Sequence, residues 1–297
     1  MTSAKKKIFL ITGAGAGFGR AFTEAVLEAG HTVVGTLRRE EQRIAFEALH
    51  GKRAHGVVID VTHFDDIDPT VRKIEAQVGP IDVLVNNAGY GHEGILEESP
   101  LAELIHQFEV NVFGAVAMIK AVLPAMRHRR RGHIINITSM AGYISMPGIA
   151  YYSGSKFALE GITEALAQEV KSLGIKVTAI APGSFRTEWA GRSMVRSERT
   201  ISDYDSVFDP VRKRRQENSG QQAGDPAKAA RVLLEIAESD EPPTHLLLGR
   251  DALKLVKARL AALHDEIQAW EPVSRSTDYL ETVKPGAGDS SDSNTRP

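Results

Sequence analysis

Tyr152 and Lys156 lie four residues apart in YYSGSKFALEGITEALAQEV, a stretch whose pattern predicts a helix. Positions i and i+4 share a helix face, so phenol and ammonium would meet. A free tyrosine titrates near pH ~10. An ammonium held beside it favours the phenolate and lowers that value. The spacing therefore describes a proton donor and acceptor assembled from a residue that is ordinarily too weak an acid. Tyr151, five residues from Lys156, would point away, so geometry selects Tyr152. The apolar run HIINITS ends at Ser139, thirteen residues before Tyr152. A serine at the end of a neighbouring strand would hold a carbonyl or alcohol oxygen against the phenol.

The pair alone is a weak signal, because Tyr-x-x-x-Lys is a short pattern in a chain with six tyrosines. Its weight depends on the elements that must position it. Short β-branched runs, KIFLIT, TVVGTL, AHGVVID, IDVLVN, HIINITS, IKVTAIA and HLLLG, alternate with longer amphipathic segments. This alternation predicts βαβ units, and the continuous apolar character of the runs predicts strands covered on both faces. The expected fold is α/β: a Rossmann-like, doubly wound parallel sheet of about seven strands with helices on both faces. Five strand ends carry residues poor for packing: Gly13, Asp60, the run Asn86-Asn87-Ala88-Gly89, Ser139, and Pro182-Gly183. In open α/β sheets ligands bind beyond the carboxyl ends of the strands. Together these ends mark one crevice, although turn-making alone would account for any single one.

TGAGAGFG follows the first strand, with Gly13, Gly15, Gly17 and Gly19. Glycines let a backbone approach a pyrophosphate, and a helix starting near Gly17 would aim free N–H groups at it. No Gly-Lys-Ser/Thr follows, which disfavours a nucleoside triphosphatase loop. After TVVGTL come Arg38 and Arg39, where NAD sites place an acid for the ribose hydroxyls. Arginine binds a 2′-phosphate, so NADP is expected over NAD, with Glu40 and Glu41 close enough to leave NAD open.

The chain has 297 residues, 42% hydrophobic and 25% charged, a net charge of −2, and no cysteine. That suits one large soluble domain, 1–283, and removes thiol catalysis, disulfides and thiolate metal sites. A reducing cytoplasm is the expected setting. The near-neutral charge offers no field for nucleic acid. RHRRR at 127–131 reads as a solvated helix end. The apolar core after MTSAKKK is too short for a secretory signal, and no run is expected to span a membrane. Residues 184–224 lack periodicity and follow Pro182-Gly183, so they are expected to form a substrate lid. A further helix is expected at 250–270, with Leu253, Val256, Leu260, Leu263, Ile267 and Trp270 on one face, and a disordered tail at 284–297.

TGAGAGFG, Asp60, NNAG at 86–89, Asn111, Ser139, Tyr152, Lys156 and Pro182-Gly183 together resemble the short-chain dehydrogenase/reductase family, in its single-domain branch. Gly13, Gly17 and Gly19 fit its glycine pattern, and the resemblance spans roughly residues 5–250. It implies NAD(P)-dependent oxidation of alcohols or reduction of carbonyls. Tyr152 would be the general acid in reduction, and Lys156 would tune it and hydrogen-bond the nicotinamide ribose. Ser139 would orient the substrate oxygen, and Asn111 would hold a water in a proton relay. Gly13, Gly15, Gly17, Phe18 and Gly19 would form the phosphate loop. Asp60 and Val61 would meet the adenine. Asn87, Ala88 and Gly89 would line the cleft, and Pro182, Gly183, Phe185 and Thr187 would lie along the nicotinamide. Tyr143, Met146 and Trp189 are expected at the substrate pocket or packed in the lid, and His92 and Glu93 at the substrate or in a solvated loop. A lipophilic ketone or secondary alcohol is the expected substrate, with no metal. Two other readings share parts of this pattern: a non-catalytic nucleotide sensor, and a sugar-nucleotide epimerase or dehydratase. The resemblance also implies a homo-oligomer, a dimer by preference, through helices at about 101–128 and 150–172.

Overall fold

A computed structural model describes residues 6–191 and 193–279. The tail expected at 284–297 lies outside the described residues. Seven strands form one parallel sheet: β1 (Ile8–Ile11), β2 (Thr32–Leu37), β3 (Ala54–Val58), β4 (Val83–Asn86), β6 (Gly132–Ile137), β7 (Ile175–Pro182) and β9 (His245–Leu248). Their order is β3-β2-β1-β4-β6-β7-β9. The chain therefore winds outward in one direction from β1 and in the other from β4. The crevice between these two strands is the switch point at which such sheets bind ligands.

Strand residues alternate between two cores. Phe9 and Ile11 of β1, Val83 and Val85 of β4, and Ile135 and Ile137 of β6 face one side. There they meet α1 (Gly17–Glu28) and α8 (Pro226–Glu238) through Phe22, Val26, Leu233 and Ile236. Leu10, Leu84 and Ile134 face the other side. They pack on α3 (Phe64–Gln77), α5 (Gly114–Arg129) and α6 (Ala150–Val170) through Ile67, Val71, Met118, Val122 and Leu166. Each such side chain contributes about 1.5–3 kcal/mol by leaving water, which explains why both faces of the strands read as apolar. Asp225 caps α8 by accepting from the Ala227 N–H at 2.8 Å, with Pro226 in the first turn. The remaining helix of this half, α2 (Glu40–Glu47), follows β2.

Several expectations need correction. Residues 101–129 are one helical run, α4 (Leu101–Phe108), a π turn (Glu109–Phe113) and α5. This run is long and apolar enough, by length and composition, to cross a membrane. The sequence reading missed that because its hydropathy is spread over alanine, valine and methionine between polar positions. Its Met118, Ile119, Val122 and Met126 are buried in the second core. The basic run at 127–131 is only partly solvated, because Arg129 donates to the Ile81 carbonyl at 2.7 Å and pairs with Glu75. A second, two-stranded parallel sheet, β5 (Gly91–Glu93) with β8 (Met194–Arg196), was not expected. Between β8 and α8 the chain forms α7 (Asp205–Glu217).

The last helix, α9, runs Arg250–Arg275. Residues through Lys257 belong to one compact unit, with Ala252 and Val256 buried. The described residues from Ala258 onward belong to a second unit, in which Leu260, Leu263, Ile267 and Trp270 are exposed.

Candidate active site

Gly13 and Gly17 have φ of 64° and 52°, a conformation that glycine adopts without strain. They turn the chain from β1 into α1, whose N-cap, Ala16, offers no side-chain oxygen. The first N–H groups of α1 therefore keep their donors for an anion. A cavity of about 1410 Å³ opens here, lined by Gly13, Gly15, Gly17, Phe18, Arg38, Asp60, Val61, Asn87, Ala88, Gly89, Ser139, Tyr152, Lys156, Pro182, Gly183, Phe185 and Thr187. Gly19 is a correction: it does not line the cavity. A Cβ there would fall 2.3 Å from the Gly13 carbonyl oxygen and 2.6 Å from Asn87 Nδ2. It is glycine because the helix packs directly on the loop and on Asn87, the residue after β4.

At the end of β2, Arg38 and Arg39 line the cavity, with Gln42 beside them. Glu40 instead pairs with Arg43 at 2.6 Å, and neither Glu40 nor Glu41 lines the cavity. Asp60 accepts from the Thr62 N–H at 3.0 Å and from its hydroxyl at 2.8 Å. Burial opposes its charge, but the two Thr62 donors, with the nearby charges of His63 and Arg38, hold the carboxyl below its ordinary value.

Behind the cleft a ladder of side chains ties strands to helix. Asn86 donates to Asn136 at 2.9 Å, and Asn136 donates to Thr163 of α6 at 2.8 Å. Asn87 Nδ2 donates to the Thr12 carbonyl at 2.9 Å. Asn111 lies in the π turn, a widened turn often found at functional sites. Its Oδ1 accepts from the Tyr90 N–H at 3.1 Å, and its Nδ2 donates to Ser155 Oγ of α6 at 3.0 Å. The side chain is buried, so it stands behind the cavity wall rather than in it. A Cβ on Gly89 would come within 3.0 Å of Asn111 Oδ1 and 3.7 Å of Lys156 Nζ, which marks Gly89 as the thin wall between them.

Ser139, Tyr152 and Lys156 come together at the cavity floor, all buried. Ser139 Oγ accepts from the Ala141 N–H at 3.1 Å and so caps the short turn after β6. Lys156 Nζ donates to the Ile137 carbonyl at 2.9 Å and lies 5.8 Å from the Tyr152 ring centroid. The ammonium thus faces the ring rather than binding the phenol oxygen. Burial consequently dominates both groups, against the expectation that lysine would depress tyrosine. Tyr152 is pushed up to about 12 by desolvation, against a smaller downward pull from the Ser139 and Trp189 side chains. Lys156 is pulled down to about 8 by desolvation, with Glu160 opposing. Tyr151 points elsewhere and donates to the Ser99 carbonyl at 2.8 Å.

The flanking residues divide. Met146 and Trp189 line the cavity, and the Trp189 ring lies 5.0 Å from that of Tyr152. Tyr143 does not line it: its hydroxyl donates to Glu160 at 2.8 Å, beside His245. His92 and Glu93 are neither solvated nor at the cavity. His92 meets Ser197 at 2.9 Å, and Glu93 pairs with Arg196 and Arg215. The sequence reading missed Arg214 and Arg215 on α7, and Asp251 and Leu255 at the start of α9, all of which line the cavity. The spacing of Phe208, Val211, Arg214, Arg215 and Asn218 was a usable signal for one face of a helix.

Residues 7–196 match the family model for short chain dehydrogenase. The chain belongs to the short-chain dehydrogenase family. It is 36% identical over 270 residues to an oxidoreductase, BOA17, of Botryotinia fuckeliana, covering 90% of this chain and 98% of that one. It is 38% identical over 244 residues to a 3-ketodihydrosphingosine reductase of Bacteroides thetaiotaomicron, covering 82% and 88%. A crystal structure of a short-chain dehydrogenase from Streptomyces avermitilis superposes with a TM-score of 0.86 at 40% identity, covering 93% and 100%. A family member from Burkholderia phymatum solved with NAD has a TM-score of 0.77 at 27% identity, covering 90% and 97%. ElxO solved with NADP has a TM-score of 0.69 at 26% identity, covering 82% and 96%. The chain is an oxidoreductase of this family, with a site for NAD or NADP.

Proposed function

We propose that this chain is an NADP-dependent reductase of lipophilic ketones, and dehydrogenase of the corresponding secondary alcohols. The observation that carries the reading is the convergence of Ser139, Tyr152 and Lys156 on the floor of the cavity whose rim is the glycine loop. The uncapped start of α1 suits a pyrophosphate, and Arg38 and Arg39 suit a 2′-phosphate, with Glu40 drawn off by Arg43. Among relatives, one is named for reduction of 3-ketodihydrosphingosine and another for a 3-oxoacyl group on acyl carrier protein, which favours a ketone on an alkyl chain.

A bound nicotinamide supplies the hydride in reduction and accepts it in oxidation. The protein's part is the proton. Tyr152, pushed up to about 12, stays protonated at neutral pH and holds a proton at Oη for a carbonyl oxygen. Ser139 Oγ is placed to hydrogen-bond the same oxygen and fix its approach. Lys156, pulled down to about 8, keeps a proton that it can lose near neutrality, so it is suited to resupply the phenol. Asn111 fixes the helix that carries both through Ser155. Trp189 and Met146 keep water from the reacting carbon.

The test is NADPH and NADH absorbance over a panel of ketones, with Tyr152→Phe and Tyr151→Phe beside the wild type. Tyr152→Phe should lose at least about 10²–10⁴-fold in turnover, the usual worth of general acid help. Tyr151→Phe should keep turnover and lose about 1 kcal/mol of stability with its bond to Ser99. Equal losses in the two variants, or a wild-type preference for NADH, would refute this reading.

A further inference from the structure

The inner face of α7 is chemically unusual. Phe208, Val211, Arg214, Arg215 and Asn218 recur at helical spacing. Val211, Arg214, Arg215 and Asn218 all line the cavity. A helix covering an apolar cleft ordinarily presents an apolar stripe. Here two consecutive arginines occupy it.

Arg215 and the start of α7 are anchored on elements other than the phosphate loop. Phe208 is buried against Gly148, in the loop after Ser139, where a Cβ would fall 2.0 Å from its ring. Arg215 Nη1 donates to the buried carboxylate of Glu93 on β5. Its Nη2 is buried and has no hydrogen-bond partner. Arg214 forms no ion pair among the described residues. Among the described residues, the only carboxylates lining the cavity are Asp60 and Asp251. Asp60 is engaged by Thr62, and Asp251 accepts from the Ser184 N–H at 2.7 Å. A guanidinium left with spare donors at a half-enclosed wall is matched by an oxyanion, whose charge-assisted hydrogen bonds are about twice as strong as neutral ones.

We propose that Arg214 and Arg215 form an anion subsite in the substrate half of the cavity, selecting ketones whose alkyl chain ends in a carboxylate or sulfonate. The proposal rests on the reductase reading for the word ketone, while the anion subsite stands on α7 alone. Arg215, fixed by Glu93, sets the position of the subsite. Arg214, at the exposed edge, closes on the ligand. The reacting carbonyl lies at Tyr152 and the anion at the lid, so chain length between them becomes a selection rule.

The experiment is calorimetric titration of the protein–NADPH complex with octanoate, octanesulfonate and octanol, in parallel with turnover of methyl-ketone carboxylates of increasing length and their methyl esters. Octanoate and octanesulfonate should bind about tenfold or more tighter than octanol. Arg214→Gln should erase most of that ratio, and Arg214→Lys should restore part of it. In turnover the acid-to-ester ratio of kcat/KM should peak at one chain length, and Arg214→Gln should lower it through KM. Octanol binding as tightly as octanoate, or a ratio unmoved by Arg214→Gln, would overturn the proposal. So would octanoate displacing NADPH instead of binding beside it, since the arginines would then serve the cofactor phosphates. Ester turnover without acid preference would remove the subsite and leave the reductase reading. Octanoate selectivity without turnover of any ketone would do the reverse.

Discussion

Lys156 carries an ammonium into a site where the residue is 6% exposed, and among the described residues only the Ile137 carbonyl receives a hydrogen bond from it. The cost of that desolvation appears as a pKa pulled from 10.5 to about 8. In the unfolded chain the proton stays on to 10.5, so between those limits the folded state binds fewer protons than the unfolded one. Stability therefore rises with pH across this window, and the full penalty applies below pH 8. The shift corresponds to about 3 kcal/mol. Lys156→Met should abolish turnover yet stabilise the protein at pH 7 by about 2 kcal/mol, after about 1 kcal/mol for the Ile137 carbonyl left without its donor. The gain should shrink as pH rises from 8 toward 10.5. Urea midpoints across that range measure it, and a variant no more stable than wild type at pH 7 would contradict the desolvation argument. The identity of the acid–base pair was legible in the sequence, because i and i+4 fix a shared face. Its protonation was not. Spacing says nothing about burial, and burial reverses the expected direction for Tyr152. Gly19 shows the same limit, since a glycine pattern does not distinguish backbone that meets a ligand from backbone that meets Asn87.

At the scale of elements, the central strands were legible because both sheet faces are covered there, and runs such as IFLI and VLVN therefore read as continuously apolar. The segment between β7 and α8 was not, because its order comes from ion pairs formed across sequence. Arg199 joins Glu98 at 2.9 Å, Asp205 at 2.6 Å and Asp209 at 2.8 Å, and its guanidinium lies 5.0 Å from the Phe208 ring centroid. No local pattern announces such a knot, and the β5–β8 pairing is similarly distant in sequence. Phe208 is the one large apolar side chain of α7 that is fully buried. Phe208→Ala should cost about 3–5 kcal/mol locally, as large-to-small changes in a packed site do. It removes the only fully buried apolar anchor among the described residues of α7 and leaves ion pairs such as Arg215–Glu93 to hold it, so the helix should open before the sheet does. Limited trypsin digestion should cut the variant at Arg212 to Arg215 while wild type resists, and KM for ketone should rise more than kcat falls. Cleavage appearing only with global unfolding would show that α7 is held by the sheet and is no separate lid.

For the whole molecule, the sequence could not say which faces of the long helices remain for a partner, since both burying the sheet and meeting another chain use apolar residues. The structure divides them. Ile119, Val122, Leu159 and Leu166 are buried, whereas Leu101, Ile105, Phe113 and Phe157 of α4, the π turn and α6 are about half exposed or more. A net charge of −2 gives little self-repulsion to oppose association. Apolar side chains of this size on neighbouring helix faces are what a twofold interface uses, because one patch then serves both subunits. A homodimer through this surface is the expected assembly. Light scattering should give twice the chain mass of 32.3 kDa. Phe157→Glu should shift the equilibrium toward monomer by placing like charges opposite one another across the axis, and Phe113→Glu should do so as well if both lie within the patch. Neither change touches the cavity, so any loss of turnover that follows dilution and is reversed by concentration would report a site stabilised by association. A mass of one chain at every concentration would refute the dimer and leave those phenylalanines as ordinary surface exposure.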